Sequence, residues 1–368
     1  MDGYRLDLRF RSSYITPLHA DTLFGHLCWA ARYVSGENRL EELLAAFAER
    51  IPLVLSDGFP SDTEKLRFFL PAPLLPTLGQ SEVTELMAQH DIPDTRSNRK
   101  SIIAAIKAVA KLPYLELQVL QQIRAALSAR AIFDRVLSLT ICPKTGAYND
   151  DCQLHGDQAG WQHCPVFDTQ QQIACDKVPP GAEHASLLKN TIDRLAGGTL
   201  EGRLFSVEEK FPRLAYSVYL RLDPEVLSSD ELREWLAFVE RSGFGKDKST
   251  GKGAFSILAF EPFEFPALPE TNAFLSLSSS YVPRNGDPRD GYYELHVKRG
   301  KLGGHYALER RPWKRPVIMF RAGSVFFWQS PREALGDLVK GVHQDDERIV
   351  QYGCAYPLPA RLEQGVAQ

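Results

Sequence analysis

Long apolar runs are absent from this sequence, since none approaches the ~20 residues that a membrane-spanning helix requires. The first residues, Met1 to Arg5, contain no apolar signal core, so we expect no export. Cysteine is scarce, with six residues in a chain of 368, which excludes a disulfide scaffold. These absences predict a cytoplasmic protein that has no membrane partner.

A large excess of charge of either sign is missing as well. The 43 Lys and Arg residues nearly balance the 46 Asp and Glu residues, which leaves a formal net charge of −3. This balance excludes a uniformly basic nucleic-acid binder but allows a basic stripe on a neutral body. Two stretches are locally basic: residues 94–135 hold eight Lys and Arg against three Asp and Glu, and residues 289–321 hold nine against three.

The N-terminal residues carry the clearest pattern of secondary structure. Apolar and charged residues alternate from Tyr4 to Arg11, which predicts a strand with one buried and one charged face. A helix is predicted after Pro17, with Asp21 as its N-cap and an apolar stripe that includes Leu23.

A second ordered part of the sequence lies between residues 204 and 260. Alternation predicts strands over 204–210 and 214–222, and a further strand over 254–260. Ser228-x-x-Glu231 is a capping box that predicts a helix between the last two strands. The resulting order, β–α–long insertion–β–β–α–β, is that of a ferredoxin-like unit in an α+β protein.

The chain length allows two domains, and a Pro-rich linker over 263–269 separates them. We predict a first domain over residues 1–262, with an insertion at about 95–185, and a smaller β-rich domain over 270–368. The insertion splits the first helix from the second strand, so we expect it to leave and re-enter at the surface. Its second part, 142–180, has too few periodic apolar residues to bury a core alone, which predicts a partner, a metal or disorder for this part.

A glycine- and lysine-rich segment, residues 242–253, is the most informative stretch. It places four Gly and three Lys between a predicted helix and a predicted strand, where backbone N–H groups and lysines can meet phosphate. It is no P-loop, because five residues rather than four separate Gly245 from Gly251 and because Gly follows Lys252. Small-nucleotide chemistry is therefore disfavoured. A phosphodiester backbone is the preferred ligand, and a plain surface turn is the alternative.

Together with other short motifs, this segment resembles the RAMP superfamily of CRISPR-associated proteins. The resemblance is greatest to the type III-A effector subunit that holds the repeat-derived 5′ handle of the crRNA. The motifs run in order along nearly the whole chain: Leu18-His19-Ala20-Asp21-Thr22-Leu23-Phe24-Gly25, Leu55-Ser56-Asp57-Gly58-Phe59-Pro60, Leu70-Pro71-x-Pro73, Asn190-Thr191-Ile192-Asp193-Arg194-x-x-Gly197, Glu201-Gly202-x-Leu204-Phe205, Gly323-Ser324-Val325 and Tyr352-Gly353.

The resemblance implies two ferredoxin-like domains in tandem and an insertion that includes a thumb-like hairpin. It implies a non-catalytic scaffold without a cofactor that caps the crRNA 5′ handle and docks a large polymerase-like subunit and a first backbone subunit. The insertion is then expected to touch guide RNA or a neighbouring subunit. We predict these RNA-binding residues: His19, Asp21, Thr22, Asn190, Arg194, Gly245, Lys246, Lys248, Ser249, Thr250, Gly251 and Lys252.

Two other types of site stay open at this stage. His19 and His26 could act as general acid and base in a metal-independent crRNA-processing endoribonuclease, although His26 lies within one turn of apolar helix residues and is expected in the core. A structural zinc site is the alternative to separate thiols for the cysteines of the insertion, although no C-x₂₋₄-C knuckle is present. These cysteines are Cys142, Cys152, Cys164 and Cys175.

Overall fold

The structure is a computed structural model that describes residues 1–138, 140–148, 164, 166, 177–192, 195, 197–308 and 310–363. Within these residues the α-helices are α1 (Ala20–Val34), α2 (Glu37–Ala46), α3 (Gln80–Gln89), α4 (Arg96–Val109), α5 (Leu117–Ile123), α6 (Ala129–Leu137) and α7 (Ser229–Ser242). The strands are β1 (Asp2–Phe10), β2 (Leu53–Leu55), β3 (Phe59–Asp62), β4 (Arg67–Pro71), β5 (Tyr114–Glu116), β6 (Ala182–Ile192), β7 (Thr199–Pro212), β8 (Ala215–Leu222), β9 (Phe255–Pro262), β10 (Ala273–Ser276), β11 (Gly291–Tyr292), β12 (Leu295–Lys298), β13 (Val317–Phe320), β14 (Val325–Phe327), β15 (Leu338–Val339), β16 (Gln351–Tyr352) and β17 (Pro357–Ala360).

The chain divides into two compact units, which are described separately. Unit 1 contains Met1–Asp62, Gly181–Phe263 and Lys301–Pro312, and unit 2 contains Thr63–Pro180, Glu264–Gly300 and Trp313–Gln368. The mixed helices and antiparallel sheets of the described residues agree with the predicted α+β class. The domain boundaries and the second ferredoxin-like domain stay predictions. No helix of the described ranges is long and apolar enough to cross a membrane.

Unit 1 is built on an antiparallel sheet in the order β3–β8–β1–β9, with β2 also paired to β8. The predicted alternation in β1 is present, but its charged face is not open to water throughout. Asp7 is only 2% exposed, and its carboxylate accepts hydrogen bonds from Ser217 Oγ at 2.6 Å and from Arg5 Nε at 3.1 Å. Burial of a charge is tolerated here because both partners are present.

The strand that pairs with β8 is not the one that the sequence predicted. Residues 204–210 belong to β7, which forms a two-stranded hairpin with β6. The short strands β2 and β3 pair with β8 instead. Both strands precede the insertion in the chain, so the prediction that the insertion splits α1 from the second strand is wrong. Prolines at positions 52 and 60 concealed these strands, although Leu53, Val54 and Leu55 are wholly buried.

The helices of unit 1 pack together through their predicted apolar stripes. In α7, Leu232, Trp235 and Leu236 are buried. Ser228 caps this helix as predicted, because its Oγ accepts a hydrogen bond from the backbone N–H of Glu231 at 3.2 Å. The Glu231 carboxylate does not complete the capping box and pairs with Arg39 of α2 at 2.7 Å.

Unit 2 contains one core among helices and one among strands. Residues of α3, α4 and α6, among them Leu86, Ile102 and Phe133, form the helical core, which also receives Ile141 and Cys164. Ile141 and Cys164, both in the insertion, are therefore buried against the helices α3, α4 and α6. The second core contains Phe274, Tyr281, Phe326, Trp328, Leu335 and Ala355, and two of these lie in the sheet β11–β14–β10–β17.

Candidate nucleic-acid interface

The segment from Gly243 to Gly253, called here the Gly/Lys loop, connects α7 to β9. Its glycines at 245 and 253 have φ of +77° and +65°, in the left-handed region. They also lie against other groups: a Cβ at Gly245 would be 2.7 Å from Thr16 Cβ, and one at Gly253 would be 2.0 Å from the Phe244 carbonyl oxygen. Glycine is thus required at both positions by conformation and by close packing.

Backbone hydrogen bonds close the base of this loop against the rest of unit 1. The N–H of Gly245 donates to Nε2 of His26 at 2.9 Å, and the N–H of Lys246 donates to Thr16 Oγ1 at 2.9 Å. On the other side, the N–H of Gly253 donates to the Ser13 carbonyl at 2.8 Å. These donors are therefore unavailable to a phosphate, and hydrogen bonds fix the base of the loop.

Ion pairs tie both ends of the exposed segment to the β6–β7 hairpin. Lys252 Nζ lies 2.5 Å from Glu209 Oε2, and Lys189 Nζ lies 3.2 Å from Asp247 Oδ2. The Glu209 carboxylate also accepts from Ser13 Oγ at 2.7 Å. Hydrogen bonds from Lys252 and Ser13 hold the pKa of the Glu209 carboxyl below its ordinary value. Lys252, a predicted RNA ligand, is thus engaged within the protein.

The tip of the loop presents its remaining polar groups to solvent. Lys246, Lys248, Ser249 and Thr250 are exposed, as is the backbone at Gly251. Within the described residues, neither Lys246 nor Lys248 forms an ion pair. Of the three predicted loop lysines, two therefore stand free to meet a phosphate and one does not.

The start of α1, which the sequence also predicted to bind RNA, begins at a different residue from the one predicted. The helix begins after His19, so Asp21 is its second residue and not its N-cap. The backbone N–H of Ala20 donates instead to Asp57 Oδ1 at 2.9 Å. A buried carboxylate thus occupies part of the helix terminus that was expected to meet RNA. Asp21 is itself buried, and Thr22 is half-buried.

Asp57 lies in the motif Leu55–Pro60, but the sequence did not predict its contact with the start of α1. This motif folds tightly against the start of α1, since the N–H of Gly58 donates to the Leu18 carbonyl at 2.7 Å. A Cβ at Gly58 would lie 2.2 Å from Leu18 Cδ2. An Asp-Gly pair after an apolar run was the available signal. The motif therefore supports the start of α1.

Asn190 lies on the opposite face of the hairpin from the Gly/Lys loop. Residues alternate between the faces of a strand, so Lys189 faces the loop while Asn190 faces away, where its Nδ2 donates to Thr199 Oγ1 at 3.2 Å. The motif that begins at Asn190 starts within β6, which ends at Ile192. Arg194, the other predicted ligand of this motif, lies outside the described residues.

His26 supports the loop from beneath. Its ring centroid is 4.9 Å from that of Phe244, and its Nε2 accepts the hydrogen bond from Gly245. Burial, with a smaller contribution from the Lys248 ammonium, lowers the pKa of His26 to about 4. The ring is therefore neutral near pH 7, and the prediction of a structural role for His26 agrees with these contacts.

The cysteines of the insertion are described only in part. Cys142 and Cys164 are buried, whereas Cys152 and Cys175 lie outside the described residues. No group of three or more His, Cys, Asp or Glu that could hold a metal occurs in the described part of the chain. The zinc alternative accordingly stays a prediction.

Comparison with known proteins identifies the fold. No family model matches the chain, and no curated protein matches its sequence. A chain of the crystal structure of a Csm1–Csm4 cassette in complex with pppApA is 16% identical, with a TM-score of 0.52, and the match covers 99% of this chain and 100% of that one. A chain of the Csm3–Csm4 subcomplex of a type III-A CRISPR-Cas interference complex is 14% identical, with a TM-score of 0.56 and coverage of 99% and 100%. The described part of the chain therefore shares the fold of these two matched chains.

Proposed function

We propose that this chain is an RNA-binding scaffold subunit of a type III CRISPR effector complex and takes part in antiviral defence. One observation carries the proposal: the whole chain matches whole chains from two assemblies that share Csm4 as their common component. Shared fold alone does not fix function, so the chemistry of the site must also fit. The exposed lysines at the tip of the Gly/Lys loop supply the positive charge that an RNA backbone requires.

Within such a complex, the chain caps the 5′ handle of crRNA and docks a large polymerase-like subunit and a first backbone subunit. This assignment is supported by the partners named in the two matching structures, Csm1 and Csm3. The Gly/Lys loop receives handle phosphates on Lys246 and Lys248, while Ser249 and Thr250 offer hydroxyl donors beside them. The protein acts in the cytoplasm and needs no cofactor.

The proposed role is structural rather than catalytic. General acid–base cleavage of RNA needs a group that changes protonation near neutral pH and reaches the substrate. His26 meets neither requirement, because its pKa is lowered to about 4 and its Nε2 is occupied by the loop backbone. His19 contributes its backbone to the start of α1 and is half-buried.

Incubation of the purified chain with handle-containing repeat RNA, without metal, tests this proposal. We expect binding without cleavage, and weaker binding to a scrambled RNA of the same length and composition. A failure to bind the repeat RNA would overturn the RNA-capping role. Specific cleavage that disappears in a His19→Ala or His26→Ala variant would show an endoribonuclease instead. Co-expression with the large and backbone subunits of the same host tests docking separately.

A further inference from the structure

Glu209 occupies the centre of the contacts between the hairpin and the Gly/Lys loop. Its side chain is 0% exposed, and one oxygen, Oε2, accepts from both Lys252 and Ser13. The other oxygen, Oε1, has Lys189 Nζ at 3.8 Å as its ion-pair partner. A buried carboxylate is costly unless it is paired, and Oε1 accepts no hydrogen bond, so the docked loop requires the two lysines around Glu209.

The two lysines around Glu209 reach the loop at different points. Lys252 belongs to the C-terminal end of the loop, and Lys189 bridges from Glu209 to Asp247 at its N-terminal side. Asp247 has φ of +61°, a left-handed conformation that is uncommon for residues other than glycine. The network Asp247–Lys189–Glu209–Lys252 therefore holds both ends of the exposed tip.

Charge within this network is balanced, with two carboxylates against two ammonium groups. The positive charge that remains on the loop belongs to Lys246 and Lys248, which point to solvent. Asp247 lies between them in the turn, and its carbonyl accepts hydrogen bonds from the backbone N–H groups of Thr250 and Lys252. The network thus links the positions of the two exposed lysines to Glu209, which is buried, through Lys189, Lys252 and Asp247, which are partly exposed.

We propose that Glu209 is a positioning residue for the RNA-binding loop: it fixes the loop to the β6–β7 hairpin so that Lys246 and Lys248 are presented together to one stretch of phosphodiester backbone. This inference rests on the proposed RNA-binding function. Pre-organisation of this kind lowers the ordering cost that binding would otherwise carry. Substitution of Glu209 should therefore weaken RNA binding without removing an RNA contact.

The chain offers a matched control beside the test residue. Glu208 precedes Glu209 on β7 and points to the opposite face of the hairpin, where it is exposed and pairs with His184. The variants Glu209→Gln and Glu208→Gln remove the same charge from adjacent positions. Any effect of net charge on RNA binding is shared by both, whereas an effect on loop position belongs to the first alone.

The first experiment needs no RNA. Hydrogen exchange of the full-length chain is measured at the amides of Gly245, Lys246 and Gly253, which are bonded at the loop base. Glu209→Gln should speed their exchange about tenfold or more, and Glu208→Gln should leave it unchanged. Equal exchange in the two variants and the parent would overturn the positioning role, whether or not the chain binds RNA.

The second experiment measures binding of handle RNA and scrambled RNA as salt is varied. Glu209→Gln should weaken handle binding about tenfold and reduce the preference over scrambled RNA, with no decrease in the salt slope. A merely structural effect would weaken both RNAs in the same proportion and would count against the proposal. Absence of RNA binding by the parent would refute the proposed function but leave the exchange result to decide the role of Glu209.

A second substitution covers the case in which Glu209→Gln does not fold. Lys189 is partly exposed, and Lys189→Met removes the bridge to Asp247 while the pair between Glu209 and Lys252 remains. This variant should fold and should speed exchange at the amides of Thr250 and Lys252, both of which donate to the Asp247 carbonyl. Unchanged exchange at these amides would again contradict the proposed network.

Discussion

Two basic regions of the chain look alike in sequence and differ in how their charges are used. In the helical region from α4 to α6, arginines are largely engaged: Arg99 pairs with Asp94 at 2.5 Å, and Arg130 pairs with Glu85 at 2.8 Å. Arg124 is buried and donates to the carbonyls of Pro266 and Pro359. In the Gly/Lys loop, by contrast, the engaged lysine lies at the base and two others are open.

This difference shows why net charge alone is a weak guide to an RNA-binding surface. Of the eight cations that give residues 94–135 a net charge of +5, four are engaged within the protein, among them Arg99 and Arg130. The other four, Arg96, Lys100, Lys107 and Lys111, are exposed. The loop contains fewer cations, but its glycines and its buried network direct two of them outward. A charge contributes to RNA binding only when folding leaves it accessible.

The largest change in the free energy of unfolding is expected at Lys252, the loop lysine that pairs with Glu209, and not at the exposed lysines Lys246 and Lys248. Lys252→Met removes the closest cation from the buried Glu209 carboxylate, so the free energy of unfolding should fall by about 3 kcal/mol. Lys248→Met, at an exposed position, should change it by less than ~0.5 kcal/mol. Urea unfolding followed by circular dichroism measures both. Similar stabilities for the two variants would show that the inner and outer lysines are equivalent.

The next effect concerns the imidazole beneath the loop and depends on pH. The pKa of His26 is lowered from 6.5 to about 4, so the unfolded chain binds a proton more readily than the folded one between these values. Stability is therefore fully present above pH 6.5 and decreases as pH falls. From pH 7 to pH 4.5 the loss should be about 2.5 kcal/mol.

A His26→Gln variant provides the control for this pH dependence. Glutamine can still accept the hydrogen bond from Gly245 but does not titrate. The difference in stability between parent and variant should therefore change with pH over this window and remain constant above it. A parallel pH dependence in both proteins would assign the effect to other groups.

The sequence was sufficient for much of unit 1, where local patterns match the final structure. The alternation in β1 and the Ser228 cap of α7 predicted real elements, because both depend on neighbouring residues. The pairing of β2 and β3 with β8 depends on contacts across more than 150 residues, which no local pattern records. Short strands beside prolines are easily missed for the same reason.

At the candidate site, the sequence identified the Gly/Lys loop but did not show which of its lysines are exposed. Charge and glycine content singled out Lys246, Lys248 and Lys252 together, and only the fold separates the last from the others. The adjacent carboxylates Glu208-Glu209 look solvated in the sequence, but Glu209 is buried. Whether a carboxylate on a strand is buried depends on the register of the hairpin, and register is a property of the folded chain.

The salt dependence of RNA binding also distinguishes the loop lysines from the arginines of the helical region. If Lys246 and Lys248 each neutralise one phosphate, each Lys→Ala substitution should reduce the slope of log affinity against log salt by about 0.7 for single-stranded RNA. Arg99→Ala, in the helical region, should leave the slope unchanged, because Asp94 already compensates its charge. Anisotropy titrations at several salt concentrations distinguish these results. Equal decreases at all three positions would mean that local net charge, and not accessibility, governs binding.

The smallest expected effect belongs to an ion pair of the helical region. Arg130 on α6 and Glu85 on α3 approach to 2.8 Å, but the Glu85 side chain is mostly exposed. Water and salt screen such a pair, so a double-mutant cycle with Arg130→Ala and Glu85→Ala should give a coupling energy of about 0.5 kcal/mol. Neither substitution should alter RNA affinity beyond the effect of net charge. A coupling energy as large as the decrease in the free energy of unfolding expected for Lys252→Met would show that exposure to solvent does not weaken the pair between Arg130 and Glu85. In that case the burial of the Glu209 carboxylate and the exposure of the Glu85 carboxylate would not explain why the two ion pairs differ in strength.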